Sequence, residues 1–185
     1  MLTNSDQIKQ YWNDFSSFYG SNLEYIYVQC GLSLSRMLKL DQAESILEVG
    51  CGSGELTLHW LMNLPPKTRY LSIDLSDDMI QLAEQKKAQK KYKLNDITHH
   101  FKVANAEMLD FIEDESIDVY LGSLVIHLAN DPKQMLREAK RVLKPKGRIG
   151  FNVLGKNDVS PFFNIAHSAL KKLELIFLQK AVECL

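Results

Sequence analysis

Two rhythms of apolar and polar positions divide the chain. Over the first 40 residues the apolar positions recur at helical spacing. Ile8, Tyr11, Trp12, Phe15 and Tyr19 share one face, and Ser5 or Asp6 suits the start. Gly20 is expected to end this segment. A second helix is predicted over about 23–40, with Ile26, Leu34, Met37 and Leu38 available for burial. This pair reads first as a packing cap on the domain (1–40) and second as a cover for a ligand. From Ser45 the rhythm changes to short apolar runs alternating with helical stretches. Strands are predicted at 45–49, 70–74, 100–104, 117–121 and 148–153, and helices at 55–63, 77–90 and 132–143. Pro65 and Pro66 break the chain, Ser76 suits a helix cap, and the KPKG segment at 144–147 reads as a turn. Met135, Leu136, Ala139 and Val142 are expected to face inward. The stretch 160–185 reads as a helix.

Strands alternating with helices imply an α/β fold: a doubly wound, mostly parallel sheet with helices on both faces, built around a core at 45–153. In such a sheet the ligand crevice lies beyond the C-terminal strand ends, where the strand order reverses. The candidate polar groups all fall at such ends.

The segment ILEVGCGSGELT (46–57) carries the most chemistry. A buried strand runs into glycines at alternate positions, Gly50, Gly52 and Gly54, and then into a helix start. This GxGxG spacing differs from the GxGxxG of dinucleotide sites, and Glu55 at the helix start argues against a pyrophosphate there. Glu48 suits a ligand ammonium group. Asp74 closes the second strand, where a carboxylate can accept both hydrogen bonds of a ribose diol; a strand-end acid or a helix cap is the alternative. Leu75 and Met79 would wall the adenine. After the third strand, in VANAEMLDF, the amide of Asn105 and the backbone of Ala106 offer an acceptor and a donor to an adenine edge.

Composition narrows the partners. At 185 residues, with 45% hydrophobic and 24% charged positions, one soluble domain is expected across 1–185. A net charge of −1 gives no basic face for nucleic acid. No apolar run is long enough to span a membrane, and the N-terminus resembles no signal or transit peptide. Cys30, Cys51 and Cys184 make neither a disulfide framework nor metal spacing, which favours a reduced, cytoplasmic setting without a metal. The lysines at 86, 87, 90, 91 and 93 read as a solvated helix end. His127, after the fourth strand, is either a core histidine or a general base.

With these motifs together, the chain resembles the class I S-adenosylmethionine-dependent methyltransferases, of the small-molecule methyltransferase domain 11/25 type. The likeness runs from about Trp12 to Val153. It rests on ILEVGCGSGELT, the acid in YLSIDLS, IDVYLGSLVIHLANDP and LREAKRVLKPKGRIGFNV. It implies S-adenosylmethionine as cofactor, S-adenosylhomocysteine as product and a small-molecule acceptor. Glu48, Gly50 and Gly52 would lie near the methionine moiety, Asp74 would hold the ribose, and Asn105 with Ala106 would read the adenine; Cys51, Gly54 and Glu107 would complete the cofactor-binding set. Gly122, Ser123 and Leu124 would border the methyl group, with Tyr11 or Tyr19 closing over the cofactor. The chain departs from the family at Asn105, where Asp is usual, and at Lys146, where Gly is usual. It also departs at the C-terminus, where the family's two-stranded hairpin has no clear counterpart. A bare fifth strand would then need cover, so the C-terminal segment is expected to contact a second copy or another protein. A non-catalytic methyltransferase-like subunit or regulator is the competing reading; a nicotinamide-dependent dehydrogenase is disfavoured by the glycine spacing.

Overall fold

The computed structural model describes residues 4–89, 96–153 and 155. Residues 1–152 form one compact unit; the second, from Val153 on, lies almost wholly outside the described residues. The expected C-terminal helix, the missing hairpin and the intermolecular contact of that segment all fall there.

The elements follow the predicted order. Helices α1 (Asn4–Asn22) and α2 (Glu24–Met37) precede β1 (Ser45–Val49), α3 (Glu55–Leu61), β2 (Arg69–Asp74) and α4 (Asp77–Gln89). Then come β3 (Thr98–Val103), β4 (Ile117–Ser123), α5 (Pro132–Val142) and β5 (Leu143–Asn152). All four strand pairings are parallel, in the order β3-β2-β1-β4-β5. The chain steps from β1 outward to β3, then returns to pair β4 with β1 on its other side. The crevice therefore opens between the C-terminal ends of β1 and β4. This is the doubly wound sheet the sequence predicted.

β1 is buried at every position, as a central strand must be when both faces are covered. Its side chains alternate. Ile46 joins Leu34, Leu38, Leu58, Trp60, Val119 and Leu121 under α2 and α3. Leu47 and Val49 join Ile73, Leu109, Tyr120, Met135, Ala139 and Val142 under α5. Fully burying each such side chain contributes about 1.5–3 kcal/mol before ordering costs.

Several local expectations are corrected. Gly20 does not end α1. Helical bonding runs on, with Leu23 N–H donating to the Tyr19 carbonyl at 3.0 Å. A Cβ there would sit 3.5 Å from Ser53 Oγ, an ordinary contact, so neither turn nor close packing requires the glycine. Met37 (75% exposed) and Leu136 (42%) face outward at the edges of their helices' apolar stripes; the Ile26 side chain lies outside what is described. The KPKG turn is absorbed as a bulge within β5. One residue separates Ile117 from Val119, while four separate their partners Leu143 and Arg148, and Lys146 takes φ +68°. Lys86 and Lys87 are not a solvated end: Lys86 pairs with Glu24, and Lys87 donates to the His99 carbonyl at 2.8 Å.

Candidate active site

The glycine loop lies at the switch point. Gly50, Gly52 and Gly54 all take positive φ, at +65°, +54° and +80°. Gly50 and Gly54 are also hemmed in. A Cβ on Gly50 would meet Val125 Cγ2 at 2.3 Å, and one on Gly54 would meet Ala83 Cβ at 2.8 Å and Phe101 Cζ at 2.9 Å. Gly52 differs: a Cβ there would meet the Tyr19 ring alone, at 3.7 Å. Its open side forms a cradle under that ring.

Asp74 faces this cradle. Its Oδ2 accepts from Gly52 N–H at 2.8 Å and its Oδ1 from Ser76 N–H at 2.9 Å. Burial raises its pKa, against the lowering effect of these N–H donors. The Leu75 backbone N–H acts on the carboxylate as well, and of about four acceptor positions at least one remains for a ligand hydroxyl. Leu75 is half-buried beside it, and Met79 is buried beneath.

Glu48 is not where the sequence reading put it. Strand alternation turns its side chain into the α3 face with Ile46, away from the strand end. It is 2% exposed, and one oxygen, Oε2, accepts from Thr57 Oγ1 at 2.6 Å, Tyr70 OH at 2.9 Å and Ser72 Oγ at 2.9 Å. Burial pushes its pKa up to about 7. It supports the loop from below through these three hydroxyl donors.

The third-strand loop is tightly tied. Asn105 Oδ1 accepts from Glu107 N–H at 2.9 Å, Glu107 Oε1 accepts from Asp131 N–H at 3.0 Å, and Ala106 packs half-buried against the core. Glu107 thus braces the start of α5. Cys51 is buried and its thiol pKa is pushed well up by that burial, which leaves it a small loop residue and no nucleophile.

At the end of β4, Gly122 closes on Val125 and Phe151, and Ser123 Oγ lies 3.1 Å from where a Cβ on Gly31 of α2 would be. Leu124 takes φ +56°, an unusual conformation for leucine. Its N–H donates to both oxygens of Asn152, backbone at 3.1 Å and side chain at 3.0 Å, and Asn152 Nδ2 donates to the Cys30 carbonyl at 2.7 Å. The sequence reading missed Asn152; an amide at the last position of the fifth strand was its signal. His127 lies in a short 3₁₀ turn (Ile126–Leu128), both ring nitrogens shielded from solvent and without a partner among the described residues. Burial lowers its pKa, so it is neutral at pH 7.

The N-terminal hairpin covers the loop. Tyr19 lies over Gly52 and stacks on Tyr27 at 5.9 Å, and burial raises its hydroxyl pKa. Of the two tyrosines expected to close the site, Tyr19 lies against the glycine loop. Tyr11 stacks on Phe15 at 5.8 Å and is 41% exposed. Glu24, also missed, is 7% exposed and accepts from Ser53 Oγ at 2.5 Å and Glu55 N–H at 3.1 Å. Two grooves, of about 430 and 570 Å³, open at the other end of the sheet around Glu115 and Lys140, and neither touches the glycine loop, Asp74 or His127. Among the described residues no cluster could hold a metal, and no helix is long and apolar enough to cross a membrane.

A glycine bend facing a strand-end carboxylate at a switch point suits a nucleoside, and comparison with known proteins settles which kind of family carries it here. The family described as a methyltransferase domain matches residues 47–151. The chain belongs to the class I S-adenosylmethionine-dependent methyltransferases. A similar relative, a malonyl-[acyl-carrier protein] O-methyltransferase of Marinomonas sp. (strain MWYL1), is 28% identical over 154 residues, 83% of this chain and 51% of the relative. The chain thus spans about half of that protein's length. The fold is shared with the phosphoethanolamine N-methyltransferase 1 of Haemonchus contortus, solved with phosphoethanolamine and S-adenosylhomocysteine. There the TM-score is 0.64 and the identity 16%, over 81% of this chain and 32% of that one. It is also shared with the [4+2]-cyclase SpnF, at TM-score 0.59 and 22% identity, over 67% of this chain and 43% of that one. This methyltransferase scaffold therefore does not by itself name a reaction or a substrate.

Proposed function

We propose that this chain binds S-adenosylmethionine in the crevice between β1 and β4 and moves its methyl group to a small-molecule nucleophile. The observation that carries this reading is the Asp74 carboxylate turned onto Gly52 N–H at 2.8 Å, beside a glycine whose added Cβ would meet, among the described residues, the Tyr19 ring alone. In this reading Asp74 accepts the ribose diol, and Asn105 and the Ala106 backbone meet the adenine edge. Leu75 and Met79 give that base an apolar wall. Gly50, Cys51, Gly52 and Gly54 let the backbone approach the methionine part, and Ser123 and Leu124 border the methyl group.

When bound, the cofactor supplies an electrophilic methyl group on a sulfonium. The chain's own task is alignment and exclusion of water. Helix α1 covers the crevice with its aromatic face, and the bend at Leu124, fixed by Asn152, sets the wall beside the acceptor. Such positioning can supply roughly 7–11 kcal/mol of the barrier reduction. His127, whose ring nitrogens are shielded from solvent, would take the proton only from an acceptor that reaches into its turn. The acceptors in the relatives' names, a malonyl-acyl carrier and phosphoethanolamine, define the classes to try first.

Calorimetry of the purified chain with S-adenosylhomocysteine and with NAD tests the reading. Binding of the first and not the second is expected, with Asp74→Ala weakening it at least tenfold. Equal affinity in the alanine variant would remove the ribose assignment. Methyl transfer from labelled cofactor to a component of cell extract is the positive result for the enzyme. Binding without any labelled product would favour the regulator.

A further inference from the structure

Helix α1 touches three of the connections at the mouth of the crevice. Asn4 Nδ2 donates to Asn130 Oδ1 at 2.6 Å, on the segment between β4 and α5. Asn13 reaches the β2–α4 connection, and Tyr19 and Gly20 lie against the glycine loop. The helix is thus a strap across the mouth. Its far end is anchored at the start of α2 by Glu24, held by Ser53, Glu55 N–H and Lys86.

The middle of the strap is tied to the ribose-facing acid. Gly52 N–H donates to Asp74 Oδ2, and Ser76 N–H donates to Asp74 Oδ1. Ser76 Oγ–H in turn donates to Asn13 Oδ1 at 2.6 Å, while accepting from Met79 N–H at 3.1 Å. Asn13 Oδ1 also receives Asp78 N–H at 3.4 Å. One amide oxygen of the strap therefore helps to cap α4 from outside that helix. It ends a hydrogen-bonded chain that starts at the glycine loop. Ser76 is fully buried, so this chain has no competing water at its middle link.

We propose that Asn13 is a positioning residue, the catch that couples closure of α1 to the state of Asp74. A diol held by Asp74 fixes that carboxylate, which fixes the Ser76 backbone and keeps its hydroxyl aimed at Asn13. The strap then stays shut over the bound nucleoside. With Asp74 unliganded, the same chain is looser and the strap can lift. The proposal rests on the ribose reading of Asp74, and goes beyond it by assigning retention of the cofactor to a residue that does not touch it.

Stopped-flow dissociation of S-adenosylhomocysteine from the full chain tests this. Asn13→Ala is expected to raise the dissociation rate about tenfold, the worth of one well-made cap, and to leave the association rate within about twofold. In an Asp74→Asn background, which weakens the link to the chain, the same alanine change should add less than about twofold. Asn13→Asp keeps accepting oxygens over α4 and should retain slow release; fast release from that variant overturns the proposal, including where the alanine protein does not fold. An unchanged dissociation rate in Asn13→Ala, or an equal tenfold effect in both backgrounds, overturns it as well. Wild-type protein that binds no S-adenosylhomocysteine at all overturns the cofactor reading first and this inference with it. Wild-type binding with no effect of Asn13 overturns this inference alone.

Discussion

The Glu48 carboxylate accepts the Ser72 hydroxyl at 2.9 Å, and the same hydroxyl oxygen meets His99 Nε2 at 3.1 Å. Because Ser72 donates its proton to Glu48, His99 Nε2 must donate to Ser72. That fixes the neutral tautomer and leaves Nδ1 bare, as its lack of a partner agrees. Two buried titratable groups, on the strands either side of β2, thus share one serine of that strand.

Their pH dependences have opposite signs. Glu48 is raised from 4.5 to about 7 by burial, so its contribution to stability is full below pH 4.5 and is lost as pH rises through 7. His99 is lowered from 6.5 to about 3 by burial, so its contribution is full above pH 6.5 and is lost as pH falls toward 3. Glu48→Gln replaces the charge with a neutral isostere. The variant should match wild type at pH 4.5 and exceed it by roughly 3 kcal/mol above pH 7. Denaturant titrations across that range check it; a constant difference would mean that Glu48 stays ionised throughout.

Gly50→Ala should destabilise the fold by roughly 2–4 kcal/mol. The left-handed conformation costs a β-carbon about 1–2 kcal/mol, and collision with Val125 adds a similar amount. Adding Val125→Gly, which also removes the Val125 Cβ that would lie 2.6 Å from the new β-carbon, should recover the second part and not the first. Melting curves of the single and double variants separate the two.

Arg141 holds the loop that follows the adenine-side residues. Its Nη1 donates to the Ile112 carbonyl at 2.9 Å and to Asp114 at 2.6 Å, and its Nη2 donates to the Leu109 carbonyl at 2.7 Å and to Glu138 at 2.8 Å. A lysine cannot reproduce that planar fork. Arg141→Lys is therefore expected to cost about 1–3 kcal/mol and to speed hydrogen exchange at 107–114. Unchanged exchange there would show that the loop is held without the guanidinium.

His127→Leu removes two buried nitrogens that have no partner among the described residues. Folding stability should hold or rise, while turnover on a hydroxyl or amine acceptor should fall by about a hundredfold. Undiminished turnover would leave His127 as packing.

Asp74 and the three glycines were readable because each answers a local demand: a chain that must turn sharply and a strand that must end at a crevice. The depth of Glu48 was less plain, although the alternation of β1 holds it. A strand buried on both faces has no outward side, so an acid two places before the bend must point into a layer of helices. Leu136 and Met37 misled because helical spacing defines a stripe and not its width; the partner surface sets where the stripe ends.

The succession of strands and helices along the chain, the alternate glycines and the acid at the end of β2 are properties of adjacent residues, and the linear chain determined them. Which side chains meet across the mouth was decided only by folding. Asn13 lies 63 residues from Ser76, and Glu24 lies 62 from Lys86. No periodicity encodes such pairs, because they depend on the path of α1 over the finished sheet edge. That path exists only once the core has packed.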